Sequence, residues 1–349
     1  MNKTSQHIVF LTPGFPESEN DSTTIPALQV FLKSMKNALP NSKLTLLSFQ
    51  FPFTNKTYDW NGIEIIPLNG KNKLLKKLCT WKKALNILKK IHREQPIDTI
   101  HSFWIGECAM IGERFSIKHH IKHVVTLMGQ DAKSGNLYTK KLTNSTAKIV
   151  TLSINHQSEL LKNHKLKSTI IPWHLNTKEF PELSKNNIDI LGVGSVNSIK
   201  NYAHFINVIS QLIKVHTNLN VVIIGDGAWR NELEQLIKKS KLSQTVTLKG
   251  KISRHEVLKN MAQSKLLLHT SLYESFGFVF LEALYSGMQI VSYDVGLAKT
   301  STHWKVCNSE TALVAACQTI LSEKTHTKNR ILISSEKQTI NAYLNLYNA

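Results

Sequence analysis

Short runs of apolar residues alternate with longer amphipathic ones along the chain, and the alternation stops once and then starts again. Parallel strands covered by helices on both faces read as such runs, because neither face needs polar residues. In the first half the runs predict strands at His7–Leu11, Lys43–Phe49, Ile63–Pro67, Thr99–Ser102, His123–Leu127, Lys148–Leu152 and Ser168–Ile171. A break follows through Ile171-Pro172-Trp173-His174-Leu175-Asn176 and the polar stretch Lys178 to Asn187. The pattern restarts with strands at Ile188–Val193, Asn220–Ile224, Val246–Lys249, Leu266–Thr270 and Ile290–Tyr293. Helices are predicted between them at Tyr202–Val215, Trp229–Ser240 and Arg254–Ser264. The economical reading is α/β: two Rossmann-like domains, 1–170 and 188–325, joined by a linker near 171–187. At 349 residues each domain can bury its own core. Sheets of this kind bind ligands at the carboxyl ends of their strands, so a cleft between facing domains is the expected site.

Composition narrows the class. Hydrophobic content of 42% and charged content of 19% are those of a soluble globular protein. No apolar run approaches the roughly 20 residues needed to span a bilayer. The run His7 to Leu11 is too short for a signal peptide and reads as a first strand. Cys79, Cys108, Cys307 and Cys317 are scattered without C-x-x-C spacing, which indicates neither zinc nor a disulfide framework and fits a reducing cytoplasm. The 15 histidines show no H-E-x-x-H or other metal spacing; His119, His120 and His123 flank a strand start and are expected at the surface.

The net charge of +19 is uneven: residues 1–170 hold 24 Lys/Arg against 11 Asp/Glu. The densest stretch, Lys71 to Arg93, contains nine bases and no acid. Leu74, Leu78, Trp81, Leu85 and Leu88 recur through it at helical spacing, so it predicts a basic amphipathic helix. Three readings stay open: a solvated helix with its stripe on the core, peripheral contact with an anionic membrane surface, or non-specific nucleic-acid binding. The last lacks any recognisable reading motif.

The stretch Leu272 to Met288, LYESFGFVFLEALYSGM, carries the chemistry. It lies between two apolar runs, and its glycine turn Ser275-Phe276-Gly277 opens a short helix that Gly287 ends. Strand, glycine turn and helix point backbone N–H groups and a positive helix end at a phosphate. Glu274 and Glu282 flank the turn, where carboxylates can hold sugar hydroxyls, so the layout suits a nucleotide sugar. Glu274, seven intervening residues, then Glu282-Ala283 and Gly287 resembles the donor motif of the retaining glycosyltransferases of family 4, the group 1 glycosyltransferases with the GT-B fold.

The resemblance implies a GT-B architecture with a C-terminal helix, within 326–349, crossing back to the first domain. It also implies that Glu274 contacts the donor hexose, the Gly277-Phe278-Val279 backbone the diphosphate, and Glu282 the ribose. Lys200 stands where the family has a lysine on the donor diphosphate, while Ser195 stands where arginine is common. Gly225-Asp226-Gly227 resembles the family's next turn near the nucleotide, and Gly129 and Asp131 match its acceptor-side loop. Asp131 is equally readable as a turn or helix-cap residue.

Departures are Met128 for a histidine, Gln289 for a proline, Trp173-His174 for Asn-Gly, and Thr23-Thr24 for paired glycines. The Thr23 and Thr24 hydroxyls are expected to face the diphosphate. The implied activity is transfer of a hexose from a UDP- or GDP-linked sugar to a glycan or lipid-linked acceptor. It would proceed with retention, without metal or other cofactor, in the cytoplasm or at the inner face of the membrane. Two alternatives remain: a nucleotide-sugar epimerase of the same fold, and a non-catalytic binding subunit. The isolated G-x-G turns lack the third glycine of a dinucleotide fingerprint, so a nicotinamide enzyme is poorly supported.

Overall fold

The computed structural model describes residues 5–323 and 328–349. The domain limits expected at 325 and 326 fall outside the described residues. The chain forms two compact units: one runs to His174 and takes back Ser334–Ala349, and the other is Leu175–Ile333.

The first unit contains β1 (His7–Gly14), α1 (Pro26–Ala38), β2 (Lys43–Phe51), β3 (Tyr58–Trp60), β4 (Ile63–Pro67), α2 (Lys77–Glu94), β5 (Thr99–Phe103), α3 (Glu107–His119), β6 (Lys122–Thr126), β7 (Lys148–Thr151), α4 (Ile154–His164) and β8 (Thr169–Ile170). Its sheet runs β3-β4-β2-β1-β5-β6-β7-β8 and is parallel except for the β3–β4 pair. Val9, Leu11, Leu47 and Ile100 on the sheet pack with Ala84, Leu88 and Ile91 of α2 and Ile111 and Phe115 of α3.

Two expectations change here. The basic helix begins only at Lys77, and Leu74 and Leu78 do not face the core: they are 81% and 72% exposed. The stripe that is covered starts at Thr80 and Ala84, one turn later. His123 is buried, not superficial, because Glu113 accepts from its Nδ1 at 2.7 Å and Ser102 Oγ lies 2.9 Å from its Nε2. A ring with both nitrogens satisfied can sit inside at little cost.

The second unit contains β9 (Ile188–Val193), α5 (Tyr202–Leu212), β10 (Val221–Ile224), α6 (Arg230–Lys239), β11 (Val246–Gly250), α7 (Arg254–Ala262), β12 (Ser264–His269), α8 (Phe278–Tyr285), β13 (Gln289–Tyr293), β14 (Trp304–Cys307) and α9 (Glu310–Ser322). The order β11-β10-β9-β12-β13-β14, all parallel, is that of a doubly wound sheet. Its strand order reverses between β9 and β12, which opens a crevice at their carboxyl ends.

The last helix, α10 (Glu336–Asn348), starts at Ser335 with a reciprocal cap to Gln338. It belongs to the first unit. Tyr347 Oη lies 2.7 Å from His101 Nδ1, Tyr343 Oη lies 3.0 Å from Thr126 Oγ1, and Trp173 Nε1 donates to Tyr343 at 3.0 Å. Both tyrosines are fully enclosed, and Lys122 Nζ donates to the Tyr347 and Asn348 carbonyls. Ile331, expected within this helix, precedes it and instead donates its N–H to Leu284 in the second unit.

Candidate functional site

The loops that leave β9 and β12 at the switch point carry the charged cluster. After β9, the Asn197 carboxamide accepts the N–H groups of Ile199 and Lys200, both at 3.1 Å, and this turn directs the Lys200 side chain. After β12, the Thr270 hydroxyl donates to the Lys200 and Asn201 carbonyls and the Leu272 N–H to Ile199. The two loops are thus stitched together backbone to side chain. Across the stitch, Lys200 Nζ forms a close ion pair with Glu274 Oε1. His269 Nε2, at the end of β12, lies 2.9 Å from the same oxygen.

Burial alone would raise the Glu274 carboxyl, but the His269 hydrogen bond and the Lys200 charge outweigh it and hold the group down at about 2. Burial lowers the His269 ring in turn, favouring a neutral imidazole that donates its Nε2–H to the carboxylate.

Beyond Glu274, the chain turns at Gly277, whose φ of +79° is the left-handed region. A Cβ there would stand 2.4 Å from Phe280 Cδ2, so both conformation and space require glycine. The turn is braced from outside by Leu297 N–H, which donates to Phe276 C=O at 3.0 Å. It aims the start of α8, led by the half-buried Phe278 and Val279. The first N–H groups of a helix have no partner within it, and no acid occupies this first turn, so the end is suited to an anion.

Gly225 and Gly227 serve the loops. A Cβ on Gly225 would lie 1.9 Å from Gly194 O, and one on Gly227 2.4 Å from Val196 O. The loops close through Gly194 N–H to Ile224 C=O and Val196 N–H to Asp226 C=O, both at 3.0 Å. Ser195 is exposed on this paired edge.

Glu282, one turn into α8, is buried and forms a close ion pair with Arg254 Nη1. Arg254 Nε also donates to Glu179 Oε2 at 2.7 Å, and its guanidinium lies 5.6 Å from the Phe278 ring centre. Burial would lower the Arg254 pKa, but the charges of Glu282 and Glu179 raise it. Glu282 is therefore held in a fixed orientation. Sequence reading gave no role to Arg254, Glu179 or His269. A usable signal existed for Arg254: it is one of five arginines and opens α7, where the helix dipole disfavours a cation.

In the first unit, the structure gives Asp131 a turn-holding role. Its Oδ2 accepts from Ile105 N–H at 2.8 Å and its Oδ1 from Gly129 N–H at 2.9 Å. The buried His156 ring, which sequence reading also passed over, places Nε2 3.9 Å from Asp131 Oδ1. Met128 is half-buried on the same loop. The Thr23 and Thr24 hydroxyls both donate to Asp21, at 2.9 and 2.6 Å, instead of projecting as free donors. Asp21 gathers four hydrogen bonds from these two residues, which outweigh its burial and hold its carboxyl low.

Comparison with known proteins gives a family match and neighbours of the same fold. Residues 176–338 match the family model described as glycosyl transferases group 1. An uncharacterised glycosyltransferase of Methanocaldococcus jannaschii is 27% identical over 219 residues, 61% of this chain and 60% of that protein. The match thus spans about three fifths of the length of that relative. Among solved structures, sucrose-phosphate synthase from Thermosynechococcus elongatus aligns over 98% of this chain and 95% of its own, with a TM-score of 0.74 at 16% identity. Anabaena HepE in complex with UDP and glucose aligns over 98% and 95%, with a TM-score of 0.68 at 14% identity.

Proposed function

We propose, from the premise that residues 176–338 belong to the group 1 glycosyl transferases and that the chain has the GT-B fold, that this protein is a retaining hexosyltransferase. The donor is a nucleotide-diphosphate sugar and the acceptor a glycan or a lipid-linked acceptor. The observation that carries the reading is the Lys200–Glu274–His269 cluster, set at the β9/β12 switch point beside the Gly277 turn. One place then offers a cation and a helix start for phosphate together with an ionised carboxylate for sugar hydroxyls.

Each residue takes a part in that reading. Lys200 and the Gly277-Phe278-Val279 backbone face the donor diphosphate. As the bond from the sugar to the phosphate breaks, charge grows on the departing oxygen, and donors fixed in advance stabilise it without reorganising. That oxygen takes the acceptor's proton on the same face of the sugar, so the anomeric configuration is kept and no protein base or metal is needed. Glu274 holds the hexose and Glu282 the ribose, with Arg254 orienting Glu282. HepE, solved with UDP and glucose, supports a uridine nucleotide. The Ser195 and Met128 departures, and the engagement of Thr23 and Thr24 by Asp21, favour a second reading in which the chain binds donor without turnover.

Incubation with isotope-labelled UDP- and GDP-hexoses and a panel of saccharide acceptors, with product anomers read by NMR, tests the proposal. A retained anomer is expected. An inverted product overturns the mechanism, and tight nucleotide binding without transfer to any acceptor favours the binding-subunit reading.

A further inference from the structure

In the structure Lys200 and Glu274 hold each other, whereas the proposed reaction asks them to hold different parts of the donor. The loops 194–201 and 270–277 contain Lys200 as their single Lys or Arg. Its Nζ pairs closely with Glu274 Oε1, and the two side chains are 20% and 15% exposed, so the pair is largely out of water. A lysine ammonium is a compact charge on a flexible stem, and a diphosphate offers it two negative charges against the carboxylate's one. Donor binding therefore draws Lys200 from Glu274 and sets phosphates beside the carboxylate. A buried carboxylate separated from its cation is strongly destabilised unless another takes its place.

His269 stands at the same oxygen. Its Nε2 lies 2.9 Å from Glu274 Oε1, and its side chain is 4% exposed. The Phe280 ring of α8 meets it edge-on with centroids 4.7 Å apart, and its backbone is registered against Ser292 of β13, so the imidazole is fixed in direction. With the Nε2–H given to the carboxylate, Nδ1 is the bare nitrogen, and it has no hydrogen-bond partner among the described residues. Tyr202 of α5 also faces Glu274, but burial pushes its phenol up and its Oη donates to the Gly194 carbonyl at 3.2 Å, so it stays neutral.

Glu274 and Lys200 are the charged groups that act on the His269 ring. Burial lowers the ring from its ordinary 6.5, the Glu274 hydrogen bond raises it, and the Lys200 charge lowers it again. Moving Lys200 to the phosphates weakens one of the two influences that keep the ring neutral. It also brings negative charge nearby, and both changes raise the ring. The fixed imidazole can then carry the positive charge that the carboxylate has lost.

We propose that His269 is a positioning residue for the donor sugar: as Lys200 passes from Glu274 to the diphosphate, His269 takes one proton from solvent at Nδ1 and, as an imidazolium, holds Glu274 toward the hexose. This rests on the donor reading above and adds to it a proton that the reaction itself does not consume. Lys200 and Glu274 keep their charges throughout, and the proton gained is released when the nucleotide leaves and Lys200 returns. Binding that takes up a proton tightens as pH falls from the ring's donor-bound value to its lower free value, and levels off below it.

The test is calorimetric titration of the full chain with UDP-glucose and, in parallel, GDP-mannose, in PIPES and imidazole buffers from about pH 6 to 8, where histidine changes charge. The two buffers differ in ionisation heat, and neither probe titrates in that range, so a buffer-dependent heat counts protons taken up by the protein. Uptake of roughly half to one proton is expected, with affinity rising by up to about tenfold for each pH unit lowered. His269→Gln keeps an N–H for the carboxylate but cannot become charged, so it should still bind while the uptake and the pH dependence disappear. Nitrogen NMR of the wild-type chain carrying labelled histidine reads the same event without a substitution: one ring should pass from singly to doubly protonated as UDP-glucose is added. Binding without proton uptake, uptake undiminished in His269→Gln, or no ring changing protonation overturns the inference and leaves the donor reading standing. No binding heat with either sugar nucleotide removes the donor reading and this inference with it.

Discussion

Replacing Arg254 with methionine keeps most of the side-chain volume and removes the charge between two carboxylates. Arg254 is 11% exposed, Glu282 8% and Glu179 30%, so Glu282 is left as a buried carboxylate with a second one nearby. Removing one partner of a buried ion pair costs about 3–5 kcal/mol, because the remaining charge stays desolvated. The Glu179 arm is the more exposed and contributes less. A loss of about 3–4 kcal/mol follows, a large part of the 5–15 kcal/mol typical of a native protein. One signature distinguishes this from general damage. Adding Glu282→Gln to Arg254→Met removes the stranded charge and should restore more than half of the loss. Urea unfolding followed by circular dichroism at neutral pH reads it. A single variant within about 1 kcal/mol of the wild type at neutral pH, or a double variant no more stable than the single, refutes the reasoning.

His269→Leu should release Glu274 upward from about 2 toward 4.5. A depressed carboxyl stabilises above its unfolded pKa and loses that contribution as pH falls through the folded value. The acid limb of UDP-sugar binding, read by calorimetry, should therefore move to higher pH; an unmoved limb contradicts the pairing. Gly277→Ala must hold alanine at φ +79° with its Cβ against Phe280, and should cost about 2 kcal/mol or more in urea melts and weaken UDP binding. Asp131→Asn can accept only through one oxygen and should lose about 1–2 kcal/mol while leaving UDP affinity unchanged; lost affinity would restore a ligand-contacting role.

The alternation of strands and helices was legible because strands covered on both faces leave apolar runs that polar loops cannot imitate. That logic fails where a strand is short or at an edge. Tyr58–Trp60 is three residues long, and its only local signal was the Asn61-Gly62 pair, whose φ values of +51° and +75° make the tight hairpin to Ile63. Periodicity also says which residues share a helix face, not whether anything covers it. Hence the core was one of the readings open to Leu74 and Leu78, and they stand in solvent. At the site, Glu274, Gly277 and Glu282 could be found because they are compressed into nine consecutive residues. Lys200 lies 74 positions from Glu274, and Arg254 lies 75 from Glu179 and 28 from Glu282. Such pairs exist only after strand order has been set. His123 shows the converse: a residue type that reads as superficial is interior once Glu113 and Ser102 arrive from other elements.

The return of α10 to the first unit inverts the usual order of biogenesis. Domains generally complete themselves from the amino end as the chain emerges during synthesis. Here the Thr126 and His101 side chains wait for Tyr343 and Tyr347, which are translated after the whole of the second unit. The unit begun first is finished last, after Leu175–Ile333 has emerged whole. Until then, the polar groups that these tyrosines satisfy lack these partners on a nascent β-sheet. A stalled or prematurely stopped chain therefore differs from the finished protein chiefly in its amino-terminal half. A fusion that keeps the end of α10 from docking would register there as well, far along the chain from the alteration.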